Sequence, residues 1–241
     1  MHGIPPGKKR DGITRLIYEN LNGINSRLSK NEKLDKARDV IDELAADIVA
    51  YNEHRLNLRH EDNRNGFKEL FKGGETEIRA VAAHNAHENV GRTQEGGTAL
   101  IAYGDLVEYL DTDNSGKDET GLGRWTYMRF AGADGKSTYV VSGYNPCSNR
   151  KVDSGTTYQQ HRRCLINKEK DRTCPRTHFR NDLVKQLKKW RKEGNRLIVC
   201  LDANEDIYLE SIGRELSHFT GLGMQEVVGQ FTGEKLARSL R

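Results

Sequence analysis

The run Leu197-Ile198-Val199-Cys200-Leu201-Asp202-Ala203-Asn204-Glu205 carries the architecture of this chain. Apolar, largely β-favouring residues give way at once to Asp, Asn and Glu, so a buried strand delivers oxygen-bearing side chains to one edge of a sheet. The same pattern stands upstream in Leu16-Ile17-Tyr18-Glu19-Asn20-Leu21-Asn22-Gly23-Ile24 and in Asp47-Ile48-Val49-Ala50-Tyr51-Asn52-Glu53-His54. Strands that end in hard oxygen donors suit a divalent cation. Mg²⁺ is usually held by one or two carboxylates, with waters and substrate phosphates filling its other positions. The pattern points to metal-assisted hydrolysis of a phosphodiester or phosphomonoester.

The chain has 241 residues, 35% hydrophobic and 31% charged, enough for one sizeable core without a linker dividing it in two. Its net charge of +4 and pI of about 8.8 are compatible with a polyanionic partner and do not demand one. No apolar run reaches membrane-spanning length. Residues 1–11 read as a disordered basic tail without the apolar core of a secretory signal, and residues 12–241 as one domain. Four cysteines without a Cys-x-x-Cys pair fit a reducing, intracellular compartment, nuclear or cytoplasmic. His161-x-x-Cys164 and Cys174-x-x-x-His178 hold the ligand types of a zinc site, but closed zinc sites usually show Cys-x₂₋₄-Cys spacing. The plainer reading is a polar loop with two free thiols.

Periodicity gives a strand over 12–21 with Ile13, Leu16 and Ile17 buried, and a helix over about 30–46 opened by the capping box Ser29-x-x-Glu32. Strands follow at 47–52, 78–83 and 98–103, and two more around Asp134-Gly135, a hairpin signal. A helix then carries Phe179, Leu183, Val184, Leu187 and Trp190 on one face, stops at Gly194-Asn195 and feeds the strand ending at Asp202. A last helical stretch holds Ile212, Leu216 and Phe219. Residues 54–75, 111–123 and 148–176 are polar and read as loops. The order implies an α+β fold: a four-layer α/β sandwich of mainly antiparallel mixed sheets with outer helices.

At this point the chain resembles the endonuclease/exonuclease/phosphatase superfamily. The resemblance runs from about residue 13 to residue 228. It rests on Asn20-Leu21-Asn22-Gly23-Ile24, Asn52-Glu53-His54-Arg55, Gly96-Gly97-Thr98-Ala99, Ser142-Gly143-Tyr144-Asn145-Pro146 and Leu201-Asp202-Ala203-Asn204-Glu205, in the family's motif order. The variant looks most like those of retroelement-like reading frames. The resemblance implies a Mg²⁺- or Mn²⁺-dependent endonuclease-like hydrolase acting on nucleic acid. Glu53 matches the carboxylate that holds the metal, and Asn22 the motif that orients it or binds the metal through water. Asp202 matches the residue that aligns or deprotonates the attacking water. Asn204 and Tyr144 match groups that contact the phosphate, and Asn145 stands where another phosphate contact is expected.

The chain departs from the family after Asp202-Ala203-Asn204. No Asp-His dipeptide occurs anywhere, and the expected closing strands of one sheet are lacking. A truncated or fragmentary chain, or a remnant that binds without turnover, accounts for this. A missing acid–base group costs about 10²–10⁴ in rate. Missing strands would expose an edge through which the chain dimerises. Arg162 and Arg163, in the basic stretch after Tyr144, are placed to touch backbone phosphates, whereas Lys185, Lys188, Lys189 and Lys192 form the solvated face of a helix. A phosphatase acting on a small or lipid phosphoester, and a non-catalytic binding module, are the competing readings.

Overall fold

The computed structural model describes residues 7–24, 32–72, 76–87, 91, 93–149, 151, 154–204, 219, 221–225 and 227. Among the described residues eight strands form two four-stranded sheets. The first holds β1 (Leu16–Asn20), β2 (Ile48–Asn52), β3 (Ile78–Ala83) and β4 (Thr98–Tyr103), in the order β1-β2-β4-β3. The second holds β5 (Leu110–Lys117), β6 (Trp125–Phe130), β7 (Thr138–Tyr144) and β8 (Arg196–Asp202), in sequence order.

Each sheet has one parallel pair, and a helical crossover makes it. Helix α1 (Glu32–Glu43) joins β1 to β2, and helices α3 (Thr157–Cys164) and α4 (Pro175–Lys192) lie between β7 and β8. Parallel strands end on the same edge. The register pairs Asn20 with Asn52 and Tyr144 with Asp202, so four motif residues reach one end of the sandwich.

Alternation along the strands sorts the core. Ile48, Ala50, Leu100, Ala102, Met128, Phe130, Val140 and Cys200 fill the space between the sheets. Val49, Tyr51, Ile101 and Tyr103 point outward to α1 and to α2 (Glu61–Phe71), through Leu34, Ile41, Phe67 and Phe71. On the other side Trp125, Tyr139 and Val141 pack on Phe179, Leu183, Leu187 and Trp190 of α4, with Tyr139 stacked 4.2 Å from Trp190. The result is the expected four-layer sandwich.

Four expectations need correction. Residues 61–71 are helical, because Phe67 and Phe71 bury one face while the polar remainder stays in water. Residues 110–117 form an edge strand rather than a loop; its polar side chains are exposed, and pairing to β6 with a bulge between Asp111 and Gly116 makes it a strand. Within 148–176 lies α3, continued by a π turn over Leu165–Glu169. Ile13 is 53% exposed, not buried, because β1 starts only at Leu16. Of the expected tail, Lys9 pairs with Asp47.

The capping residue Ser29, Ile212 and Leu216 lie outside the described residues, as does the chain on which the expectation of missing strands falls. Among the described residues β8 is an edge strand with Ile198 46% exposed, the edge to which the dimer expectation applies. No described helix is long and apolar enough to cross a membrane.

Candidate active site

The two sheets are stitched together beneath the site by one buried asparagine. Asn52 Nδ2 donates to Tyr18 Oη at 2.8 Å and to the Gly143 carbonyl at 2.9 Å, while its Oδ1 accepts from Ser142 Oγ at 2.9 Å. Ser142 Oγ also lies 3.0 Å from the Tyr51 carbonyl. β2 and β7 are thereby fixed to each other where both strands end. Asn52 stands in a quoted motif, but nothing in the sequence distinguishes it from a surface turn asparagine.

Glu53 follows immediately, with φ at +51°, a left-handed backbone that a non-glycine residue adopts only when its surroundings enforce it. The enforcement is visible. Glu53 N–H donates to Gly97 O at 2.8 Å, and Gly23 N–H donates to Glu53 O at 2.6 Å. Gly97 has no alternative residue, since a Cβ there would sit 2.5 Å from the His54 ring. His54 is wholly buried. Its Nδ1 accepts from Leu56 N–H at 3.0 Å and its Nε2 faces the Ala83 carbonyl at 2.9 Å, and burial lowers its pKa to about 4. It is a neutral structural imidazole. Arg55 ion-pairs with Glu53 at 3.0 Å and with Glu95 at 3.2 Å.

Asp202 arrives from the second sheet. Asn20 Nδ2 donates to its Oδ2 at 2.7 Å and Asn204 N–H to its Oδ1 at 3.1 Å. Burial raises the pKa of this carboxylate; the Asn20 and Asn204 hydrogen bonds oppose the rise, and the Glu53 charge adds to it. The Tyr144 hydroxyl hydrogen-bonds Glu53, and burial followed by the Glu53 charge pushes its pKa up, so it is a protonated donor. Glu53, Tyr144, Asp202 and Asn20 form one constellation.

The other expected residues are placed as follows. Asn22 has an exposed side chain in the turn after β1, where its N–H donates to Asn20 Oδ1 at 2.8 Å; Asn20, not Asn22, touches Asp202. Asn204 Nδ2 donates to the Asn145 carbonyl at 2.8 Å, and its Oδ1 accepts from Cys147 Sγ at 2.7 Å. Asn145 is buried and brackets the same turn, its Nδ2 3.3 Å from Ala203 O. Arg162 is exposed on α3, and Arg163 donates to Ser154 O at 3.2 Å. The start of α3 reaches the site wall, because a Cβ on Gly96 would meet Thr157 at 3.1 Å and Tyr144 at 3.6 Å.

Arg176 is the residue that sequence reasoning missed. Its guanidinium donates to the carbonyls of Pro146 at 2.7 Å and Ala203 at 3.1 Å, and its charge acts to lower the pKa of Asp202. No motif announces it, as it opens a helix far from either strand end. A cavity of about 370 Å³ opens at the opposite end of the first sheet, between Lys9, Arg38, Asp47 and Tyr103, away from these groups.

The zinc pattern is dispersed. His161 Nε2 is bound to Leu122 O at 3.0 Å, His178 pairs with Asp182 at 2.9 Å, and no disulfide joins any of the four cysteines. Among the described residues no three His, Cys, Asp or Glu side chains converge on a metal position. His218 lies outside the described residues.

No family model matches the chain, and no curated protein matches it in sequence. Solved structures match its fold. An AP endonuclease from Archaeoglobus fulgidus is 16% identical, with 92% of this chain covering 76% of that one at a TM-score of 0.51. The human Nocturnin catalytic domain with bound sulfate is 13% identical, with 93% covering 75% at 0.54. A 3'-5' exonuclease from Neisseria meningitidis is 13% identical, with 91% covering 75% at 0.50. The chain shares its fold with these three structures, the fold that the resemblance implied. Within that fold, the Glu53–Asp202 edge is where the strand-end motifs of both sheets meet.

Proposed function

We propose that this chain is a phosphodiester hydrolase acting on nucleic acid with Mg²⁺ or Mn²⁺ at Glu53. The observation that carries the reading is the meeting of two carboxylates, Glu53 and Asp202, delivered from different sheets to one edge and near enough for one to raise the pKa of the other. Two like charges held together favour a cation between or beside them. The donor set fits Mg²⁺, which needs only one or two carboxylates and keeps its waters. Glu53 would hold the ion, and Asn22 would support it through water. When bound, the ion supplies Lewis-acid stabilisation of charge on the phosphate.

The chain's own groups have distinct tasks. Asp202 takes a proton from the attacking water, and its raised pKa brings its basicity nearer neutral pH. Asn20 fixes the orientation of that carboxylate through a 2.7 Å hydrogen bond. Tyr144, bonded to Glu53, and Asn204, bonded to Asp202, flank the place where the phosphate would lie, with Asn145 holding the turn. Arg162 and Arg163 offer charge to flanking phosphates, a contact that reads no sequence.

The test is nicking of supercoiled plasmid with Mg²⁺, against EDTA and Glu53→Ala. Nicking that requires both the ion and Glu53 is expected. Folded protein that nicks nothing sinks the nuclease reading and leaves the binding module. Release of phosphate from soluble or lipid phosphoesters, without salt-dependent DNA binding, would favour the phosphatase.

A further inference from the structure

Arg55 occupies one oxygen of Glu53, the carboxylate proposed to hold the cation. Its Nη2 lies 3.0 Å from Glu53 Oε2, and its Nε lies 3.2 Å from Glu95 Oε2, an ion pair without hydrogen-bond alignment. The inner partner, Glu53, keeps 13% of its side chain exposed, whereas the outer one, Glu95, keeps 48%. The arginine stem runs across Gly23, where a Cβ would come within 2.9 Å of Arg55 Cδ. Gly23, at φ +82°, therefore gives Arg55 its bed in the turn after β1. The guanidinium thus touches two carboxylates at different depths at once.

We infer that Arg55 is a displaceable internal counter-ion. It occupies Glu53 before the metal binds, yields that carboxylate to the divalent cation, and turns on Glu95 to receive the non-bridging oxygens of the phosphodiester. The inference rests on the proposed metal role of Glu53. A guanidinium and a divalent ion cannot share one carboxylate oxygen without strong repulsion. The planar fork of arginine matches a phosphate through two parallel hydrogen bonds, which lysine cannot copy. Glu95 keeps the displaced charge partnered, so outward movement costs little. Arg176 cannot take this part, since its guanidinium is committed to the carbonyls of Pro146 and Ala203.

The arrangement gives opposite signs for metal and substrate. The experiment measures Mn²⁺ binding to the full chain by electron paramagnetic resonance of free Mn²⁺, without substrate, and KM on a fluorophore-quenched oligonucleotide. Arg55→Ala is expected to tighten Mn²⁺ about three- to tenfold by removing the competing charge, and to raise KM. Glu95→Gln is expected to weaken Mn²⁺, because Arg55 then settles on Glu53. Arg55→Lys should return Mn²⁺ affinity toward wild type but leave KM raised. If Arg55→Ala does not fold, the exposed Glu95→Gln change carries the test alone. Mn²⁺ binding that depends on Glu53 yet is unchanged or weakened by Arg55→Ala, or unchanged by Glu95→Gln, overturns the inference and spares the metal reading. Absence of any Glu53-dependent Mn²⁺ binding overturns both.

Discussion

Two ionic clusters in this molecule are built from the same side chains and do opposite things. Arg124 and Asp118, each with 1% of its side chain exposed, meet at 2.6 Å, and Arg124 also reaches Asp182 at 2.8 Å. Burial pushes the Asp118 carboxyl up, but the hydrogen bonds and charge of Arg124, with help from Thr120, outweigh it and hold the pKa low. At the sheet edge, Asp202 has amide donors and a neighbouring Glu53 charge, and its pKa is raised. The first cluster is closed: charge and hydrogen-bonding demand are matched inside the fold. The second is open: two carboxylates converge, and Arg55 is bound to the Glu53 member. A buried charge that is fully compensated supports structure. One left partly uncompensated is available to a ligand.

The largest way to break the contrast is at the open site. Asp202→Asn and Glu53→Gln should each lower turnover by about 10²–10⁴, with melting temperature retained. Activity near wild type in either variant would remove the carboxylate from the reaction. Arg124→Met should do the reverse, costing about 3–5 kcal/mol in urea unfolding by stranding Asp118, while the folded fraction keeps its rate. Replacing Asp118 by Leu as well should recover much of that loss, because no charge is then left buried.

A buried histidine lies at each region, His54 beside Glu53 and His161 beside Arg124. Burial lowers them to about 4 and about 3, with the Arg124 charge adding to the effect on His161. The unfolded chain takes up these protons below its ordinary value of 6.5, and the folded chain does not. Stability is therefore complete above that pH and falls as pH drops toward 4. A urea midpoint that stays flat from pH 7 to pH 4.5 would contradict this assignment.

Asn20→Ala removes a donor that stabilises the Asp202 carboxylate, so the acidic limb of the pH–rate profile should move to higher pH by up to about one unit. An unmoved limb would detach Asn20 from Asp202. The smallest effect is expected on the solvated face of α4. Charge reversal at Lys188 and Lys189 should change stability by no more than about 0.5 kcal/mol, since both are exposed.

Much of this architecture is legible in periodicity. Leu34, Ala37 and Ile41, or Phe179, Leu183 and Leu187, mark a helix because the face they bury is apolar. The misses share a cause. β5 is polar and owes its form to a partner strand, and α3 buries Gln159, Gln160 and His161 rather than aliphatic residues. Those amides are satisfied by the loop that precedes the helix, as when Gln159 Nε2 donates to Asn149 O at 2.6 Å, and apolar periodicity does not encode that. At the site, strand-end composition singled out Glu53, Asp202 and Asn204, while Tyr144 came from the family resemblance alone. It did not rank Asn20 above Asn22, nor find Arg176 or the Asn52–Ser142 bridge.

By itself the sequence determined most of the strands and that three of them end in oxygen-bearing side chains, because side-chain alternation and the turn preferences of Asn, Asp and Gly are local properties. Only the tertiary structure decided which of those oxygens meet. Asn20 and Asp202, 182 positions apart, are brought together by two helical crossovers and joined by a 2.7 Å hydrogen bond. Whether a carboxylate is compensated or left open depends on neighbours that a one-dimensional reading does not bring together.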